Sequence, residues 1–132
     1  MVKICCFILL LFAGNISFAN DAADITDDVN NLIRTANTKE LAKYFAGNVE
    51  ITILNDEDVY SKSQAEIILK DFFAKHLPQS LKVIHKLTSN PNYRFNVLSL
   101  NTSNGVFRVS YSMKNFKGNF LITEIRIETN KE

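Results

Sequence analysis

Cysteine is nearly absent from this sequence: the pair Cys5 and Cys6 is all there is. Both lie at the start of an apolar run, Ile4 to Phe12, whereas a lipid-anchored protein carries its cysteine just after such a run. Everything beyond Cys6 must therefore fold without a disulfide. With only 2 histidines, a transition-metal site would be short of ligands. No glycine-rich phosphate loop and no Ser-His-Asp elbow occurs, and no cofactor is expected. A long hydrophobic run is missing too: Ile4 to Phe12 is well short of the roughly 20 residues that span a bilayer, and Asn15 interrupts its end.

What the first residues do have is Lys3, that short apolar run, and the small pair Ser17 and Ala19 at the spacing a signal peptidase requires. Residues 1–19 read as a secretory signal peptide. Residues 20–132 are then a single domain, soluble in the periplasm or secreted, with no stable membrane anchor after cleavage. A domain of that length can close one core, and the 46% hydrophobic content supports it. Without Lys3 the 15 basic residues fall level with the 14 acidic ones. A neutral domain is a poor nucleic-acid binder, because phosphate neutralisation dominates that affinity, so no such partner is expected. The charges are unevenly placed. Between Asn20 and Tyr60 acidic residues outnumber basic ones 9 to 3, and thereafter basic outnumber acidic 11 to 5. The two halves could present one acidic and one basic surface.

Ile25, Val29, Leu32, Ile33 and Ala36 follow helical spacing behind Asp24, with Asp27 and Asp28 near the positive start of the helix. Asn37 with Glu40 begins a second, short helix that Gly47 ends. Val49 to Leu54 is β-branched and alternating, a strand, and the acidic group Asn55 to Asp58 reads as its turn. Ser63 with Glu66 starts a third helix carrying Ile68, Leu69, Phe72, Phe73 and His76 until Pro78. Four strands follow over Ser80–Ser89, Tyr93–Thr102, Val106–Lys114 and Asn119–Glu128, joined by short connectors rich in turn formers. The order predicts an α+β fold, an antiparallel sheet with its helices on one face.

Strict alternation assigns the faces. It points Leu81, Val83, His85 and Leu87 inward, then Phe107, Val109, Tyr111 and Met113, then Leu121, Thr123, Ile125 and Ile127. Ile84, Phe120 and Ile122 are left on the outer face beside Lys82, Arg108, Glu124 and Arg126. Such an apolar group suits a homodimer interface, with the charges pairing across a two-fold axis.

This order of elements resembles the cone-shaped fold of nuclear transport factor two and the bacterial ketosteroid isomerases. Three segments resemble more closely an uncharacterised exported bacterial family, domain of unknown function 4783: YFAGNVEITI (Tyr44 to Ile53), VYSKSQAEIILKDFFAKHLP (Val59 to Pro78), and TSNGVFRVSY with LITEIRIE (Thr102 to Tyr111, Leu121 to Glu128). The resemblance spans Asp24 to Glu128. It implies a curved antiparallel sheet backed by about three helices, with a pocket between sheet and helices and often a dimer through the outer face. It identifies no catalytic residue and no ligand.

Within such a cone His85 is a candidate general base or ligand contact, since a histidine among apolar neighbours must find a hydrogen-bond partner or lose its charge. A core histidine bonded to backbone or water is the commoner outcome. Tyr44, Tyr60 and Tyr111 are candidate pocket donors, set against the usual role of buried tyrosines as packing anchors. His76, at a helix end, reads as capping and packing. The strand acids Glu50, Glu124 and Glu128 alternate onto outer or polar faces, so the base of an isomerase is missing. Asn55 to Asp58 lacks the alternating ligands of a calcium loop. No metal is expected. The reading is an exported, non-catalytic domain that binds a small apolar or mixed ligand or another protein. Its alternatives are a cone-fold isomerase or dehydratase with His85 as base, and an envelope structural or assembly partner. Intact-mass measurement of the exported protein should give a chain beginning at Asn20; another start, or a lipid adduct, would refute the signal assignment.

Overall fold

The computed structural model describes residues 24–130, so the signal assignment over residues 1–19, with Cys5 and Cys6, lies outside the described residues. Helix α1 (Ile25–Arg34) starts at Asp24, whose carboxylate accepts from the Thr26 N–H at 3.0 Å. It ends with Ala36 in the left-handed region (φ 55°), where the Asn37 N–H donates to the Leu32 carbonyl and the Ala36 N–H to that of Ile33. Asn37 caps the short α2 (Thr38–Leu41), its side chain accepting from the Glu40 N–H at 3.3 Å. A 3-10 turn, Ala42–Tyr44, leads into strand β1 (Phe45–Ile53).

A strand missing from the sequence reading comes next. β2 (Asp56–Ser61) pairs antiparallel with β1, so the expected acidic turn is mostly strand and the true turn is Leu54-Asn55. β2 runs up to Ser61, and this forces α3 (Lys62–Lys75) to use Ser61 with Gln64 as its capping box rather than Ser63 with Glu66. Ala65, Leu69, Phe72 and Phe73 form the buried stripe of α3. β3 (Pro78–Leu87), β4 (Tyr93–Thr102), β5 (Gly105–Phe116) and β6 (Asn119–Thr129) complete a six-stranded sheet in the order β2-β1-β6-β5-β4-β3. The sheet is mixed: β1 and β6 are parallel, and every other neighbouring pair is antiparallel. Among the described residues three helices on one face of a curved, unclosed sheet make the α+β architecture expected. The expected all-antiparallel sheet is corrected by the parallel β1–β6 pair: α3 carries the chain from β2 across to β3 at the opposite edge, and the strands that follow return β6 beside β1.

The core fills the space between helices and sheet. Val29 and Ile33 of α1 and Leu69, Phe72 and Phe73 of α3 meet Leu98, Leu100, Phe107, Val109, Tyr111 and Met113 of β4 and β5, all buried. Two of the sheet's register shifts decide which other side chains join them. In β3 the pairing steps from Val83–Leu98 to His85–Val97, so Ile84 is an extra residue. In β6 it steps from Ser112–Glu124 to Met113–Ile122, so Thr123 is extra. Each bulge reverses the alternation beyond it.

The inward assignment of His85 and Leu87 is therefore corrected: both face outward beside Val97 and Phe95, and both are exposed. Lys86 takes the inner position instead. The outward assignment of Ile122 is likewise overturned, since Ile122 is 0% exposed and belongs to the core, while Phe120 packs against it. Ile125 and Ile127, C-terminal to the Thr123 bulge, point inward as expected.

Because Lys86 faces inward, its ammonium reaches α1, lying 2.8 Å from Asp24 and 3.5 Å from Asp27. Burial alone would raise the Asp24 carboxyl, but the hydrogen bonds from Lys86 and Thr26 outweigh it and hold the group below its ordinary value. The Asp24 hydrogen bond raises Lys86 in turn. Asp24→Ala, which removes cap and ion pair together, should lower the unfolding free energy by about 1 to 2 kcal/mol. Asp24→Asn keeps a cap acceptor and should cost less. A carboxyl lowered in the folded state stabilises above its ordinary pKa of 3.8 and loses that contribution as pH falls through the folded value. Urea unfolding at a series of pH values should show the gap between wild type and Asp24→Asn closing as pH falls on that acidic side, and closing again at alkaline pH where the raised Lys86 ammonium loses its proton.

Candidate functional site

Four tyrosine and histidine candidates scatter across the fold. Tyr111 is 1% exposed and its hydroxyl donates to Asn30 Oδ1 at 2.6 Å, an anchor between β5 and α1. Burial first, then the negative charges of Asp24 and Asp27, push that hydroxyl well above the usual phenol range. Tyr44 closes the 3-10 turn and lines a shallow depression with Asp28, Asn31 and Glu40. Burial and the two nearby acids raise its hydroxyl as well. His85 lies on the outer face of edge strand β3. It shares no cavity with a tyrosine among the described pockets, and so is not placed to act as a base there.

Tyr60 alone of the four reaches a well-formed groove, of about 310 Å³, between the β1–β2 hairpin and α3. Its floor is apolar: Ile51 and Ile53 come from the inner face of β1, Ile68 and Phe72 from α3. The rim is mixed. Asp56 and Tyr60 stand on the inner register of β2, opposite Ile53 and Val49, and Asp71, Lys75 and His76 line the helix side. Asp71 and Lys75, one helical turn apart, form an exposed ion pair at 3.3 Å that is worth little for stability.

His76 is held in place more firmly than its helix-end position foretells. Its ring packs 4.5 Å from Phe72 and 4.9 Å from Phe107. The Nδ1 lies 2.8 Å from Asn104 Oδ1 while the Asn104 amide donates to the Lys75 carbonyl, so Nδ1 is the protonated donor and Nε2 is the ring nitrogen that remains. The groove thus brings Tyr60 together with His76 and two acids, where the sequence reading had His85. Asp56 was hidden by reading Asn55 to Asp58 as turn. The signal that could have found it is the alternation Asp56, Asp58, Tyr60 against Glu57, Val59, Ser61.

The mouth of the groove carries backbone strain. Leu54 has φ 57°, a left-handed conformation that costs a branched residue about 1–2 kcal/mol, and its side chain stays 44% exposed at the groove. The Leu54 N–H donates to the Ile127 carbonyl at 2.8 Å, which fixes the turn against β6. No group of three or more metal-binding side chains occurs among the described residues.

The candidate dimer face is partly dismantled. Ile122 is core, and Phe120 is half-buried with the Arg94 guanidinium 4.6 Å from its ring centre. Ile84 is 50% exposed. Arg108 is exposed and Arg126 half-buried on the outer face, Arg126 lying 3.4 Å from Glu128. The face is divided in charge: Glu57, Glu50, Glu124 and Glu128 occupy β2, β1 and β6, while Lys82, Arg108 and Lys114 occupy β3 and β5. Hydrogen bonding to Glu57 and the charge of Glu124 hold the Glu50 carboxyl above its usual value, with Arg126 offsetting part of this.

Comparison with known proteins agrees with this architecture. A DUF4783 family protein from Bacteroides uniformis matches with 28% identity and a TM-score of 0.78, over 83% of this chain and 100% of that one. A DUF4783 family protein from Bacteroides ovatus matches with 27% identity and a TM-score of 0.74, over 79% of this chain and 94% of its own. An NTF2-like protein of unknown function from Shewanella baltica, 9% identical with a TM-score of 0.62 over 82% of this chain and 90% of that one, shares the fold alone. No curated protein matches the sequence. The model of the family described as "Domain of unknown function (DUF4783)" matches residues 26–128, and the chain belongs to that family.

Proposed function

We propose that this protein is an exported, non-catalytic binding domain whose small ligand lies in the groove between the β1–β2 hairpin and α3. The observation that carries the reading is the contrast between two spaces. The cone interior under the helices is occupied by buried side chains, whereas the groove is open, with an apolar floor and a polar rim. Its volume of about 310 Å³ is at the small end of known ligand sites, which fits a small molecule with an apolar body and one polar group. The strained Leu54 at the mouth of the groove supports the same reading, because residues that the surrounding structure holds in such conformations cluster at ligand sites. The alternative of a cone-fold enzyme with His85 as base draws no support from His85's place on the outer edge.

A thermal-shift screen of residues 20–132 against metabolites and envelope components is the direct test, with hits mapped by NMR shift perturbation. At 100 times its Kd a ligand should add about 2.7 kcal/mol of stability. Perturbations should centre on Leu54, Tyr60 and Phe72; hits that all map elsewhere would refute the groove. Leu54→Asn should raise stability by about 1 kcal/mol, since asparagine tolerates this conformation, while weakening binding of the same hits.

A second reading, for partners, rests on the divided outer face. A two-fold pairing of outer faces would set the acidic half of one copy against the basic half of another, relieving the crowding around Glu50 and covering Leu87 and Phe95. Light scattering across concentration should show a homodimer that dissociates as salt is raised. A monomer at high concentration and low salt would refute it.

A further inference from the structure

Beneath α1 four polar side chains meet in the core. Thr26 and Asn30 lie one helical turn apart on α1 and are 0% and 7% exposed. Below them Asn96 of β4 sits directly opposite Tyr111 of β5 in the sheet register, at 0% and 1% exposure. Tyr111 is satisfied by Asn30, but both polar atoms of the Asn96 amide and the Thr26 hydroxyl bond to no group among the described residues. The Tyr111 hydroxyl lies 3.4 Å from the Thr26 carbonyl, and Asn96 is its neighbour across the sheet, so the unpaired amide and hydroxyl belong to the same cluster. Lys86 pairs with Asn96 on the other side, and its ammonium is tied to Asp24 at the start of α1.

A buried amide left without partners costs its desolvation penalty twice, once for the carbonyl and once for the NH2. Leucine of similar shape would avoid that cost. Its place is held by asparagine, and the neighbouring groups supply what a small oxygen needs: the Asn96 NH2 as donor, its carbonyl as acceptor, the Thr26 hydroxyl as either, and the Tyr111 hydroxyl, whose proton goes to Asn30, as acceptor. Such a site takes two to four bonds from its occupant. A neutral guest suits the site, since the four side chains that meet there, Thr26, Asn30, Asn96 and Tyr111, carry no charge with which a buried ion could pair.

We infer that Asn96, Thr26 and Tyr111 form an internal site under α1 for one small neutral hydroxyl group, supplied by a resident water or by a small alcohol in its place. This site is separate from the groove and does not rest on the binding reading given for it. Helix α1 is its roof, and the Lys86–Asp24 pair fastens the edge of that roof.

Two measurements on residues 20–132 test it. In wild type, the Asn96 side-chain NH2 should show nuclear Overhauser contact to a long-lived proton at the water frequency if the guest is water. Contact to carbon-bound protons of a non-protein molecule identifies an alcohol. Asn96→Leu should lower Tm by roughly 4–8 °C, the size expected when a bonded polar group is lost from a domain of this length. Thr26→Val, which keeps the shape, should lower it in the same direction and serves if the leucine variant does not fold. Variants as stable as wild type or more so, with no such contact at Asn96, would show an orphaned amide and overturn the site.

Discussion

A six-stranded sheet can wrap around helices only if some strands change direction, and the two changes that decide the core here are each made by one extra residue. Ile84 in β3 and Thr123 in β6 are those residues. A bulge increases local twist and bends the strand, which curves the sheet. It also reverses the face of every side chain beyond it. Curvature and side-chain assignment are thus one decision. If the β3 bulge were absent, Lys86 would point to the outer face, α1 would lose its ion pair, and His85 would be driven into the core. If the β6 bulge were absent, Ile122 could not share a face with both Phe120 and Ile125.

The sheet order turns a feature of the sequence into a feature of the surface. The acidic stretch before Tyr60 includes β1 and β2, which lie together at one side of the sheet, and the basic remainder supplies β3, β4 and β5 at the other. β6 enters between β1 and β5, in parallel to β1, and its Glu124 and Arg126 stand at the seam. Segregation along the chain therefore becomes segregation across one face. Glu50 feels it most, since Glu57 and Glu124 flank it on neighbouring strands.

Much of the fold was legible because its signals are local. Helical spacing marked the helices, with Asp24 and Asn37 marking the starts of α1 and α2, and β5 carries an unbroken alternation whose inward set, Phe107, Val109, Tyr111 and Met113, is buried as read. Two kinds of information were not local. A bulge is set by the partner strand and leaves no mark in the sequence when the extra residue is Ile or Thr, residues equally at home in regular strands. β2 was lost because Asp56, Glu57 and Asp58 disfavour strands by themselves and are held by pairing with Ile53, Thr52 and Ile51 of β1. Both misses bear on the candidate site: the first moved His85 away from it, and the second concealed Asp56.

The two polar features that survive in the structure have opposite physical bases. The groove is open to water, so its acids, its lysine and its tyrosine need no partner within the protein, and their arrangement is free to match a ligand. Strain at Leu54 is tolerable there because the Ile127 carbonyl and the short hairpin leave the turn little alternative. The cluster under α1 is closed, and each of its atoms must be accounted for by a bond. A tyrosine bonded to Asn30 ties the helix to the sheet with one well-made contact, and an unsatisfied asparagine beside it would undo about as much stability as that contact gives. The presence of both in one cluster fits the inference that the asparagine, too, has a partner, so the interior of this domain bears on binding as well as its surface.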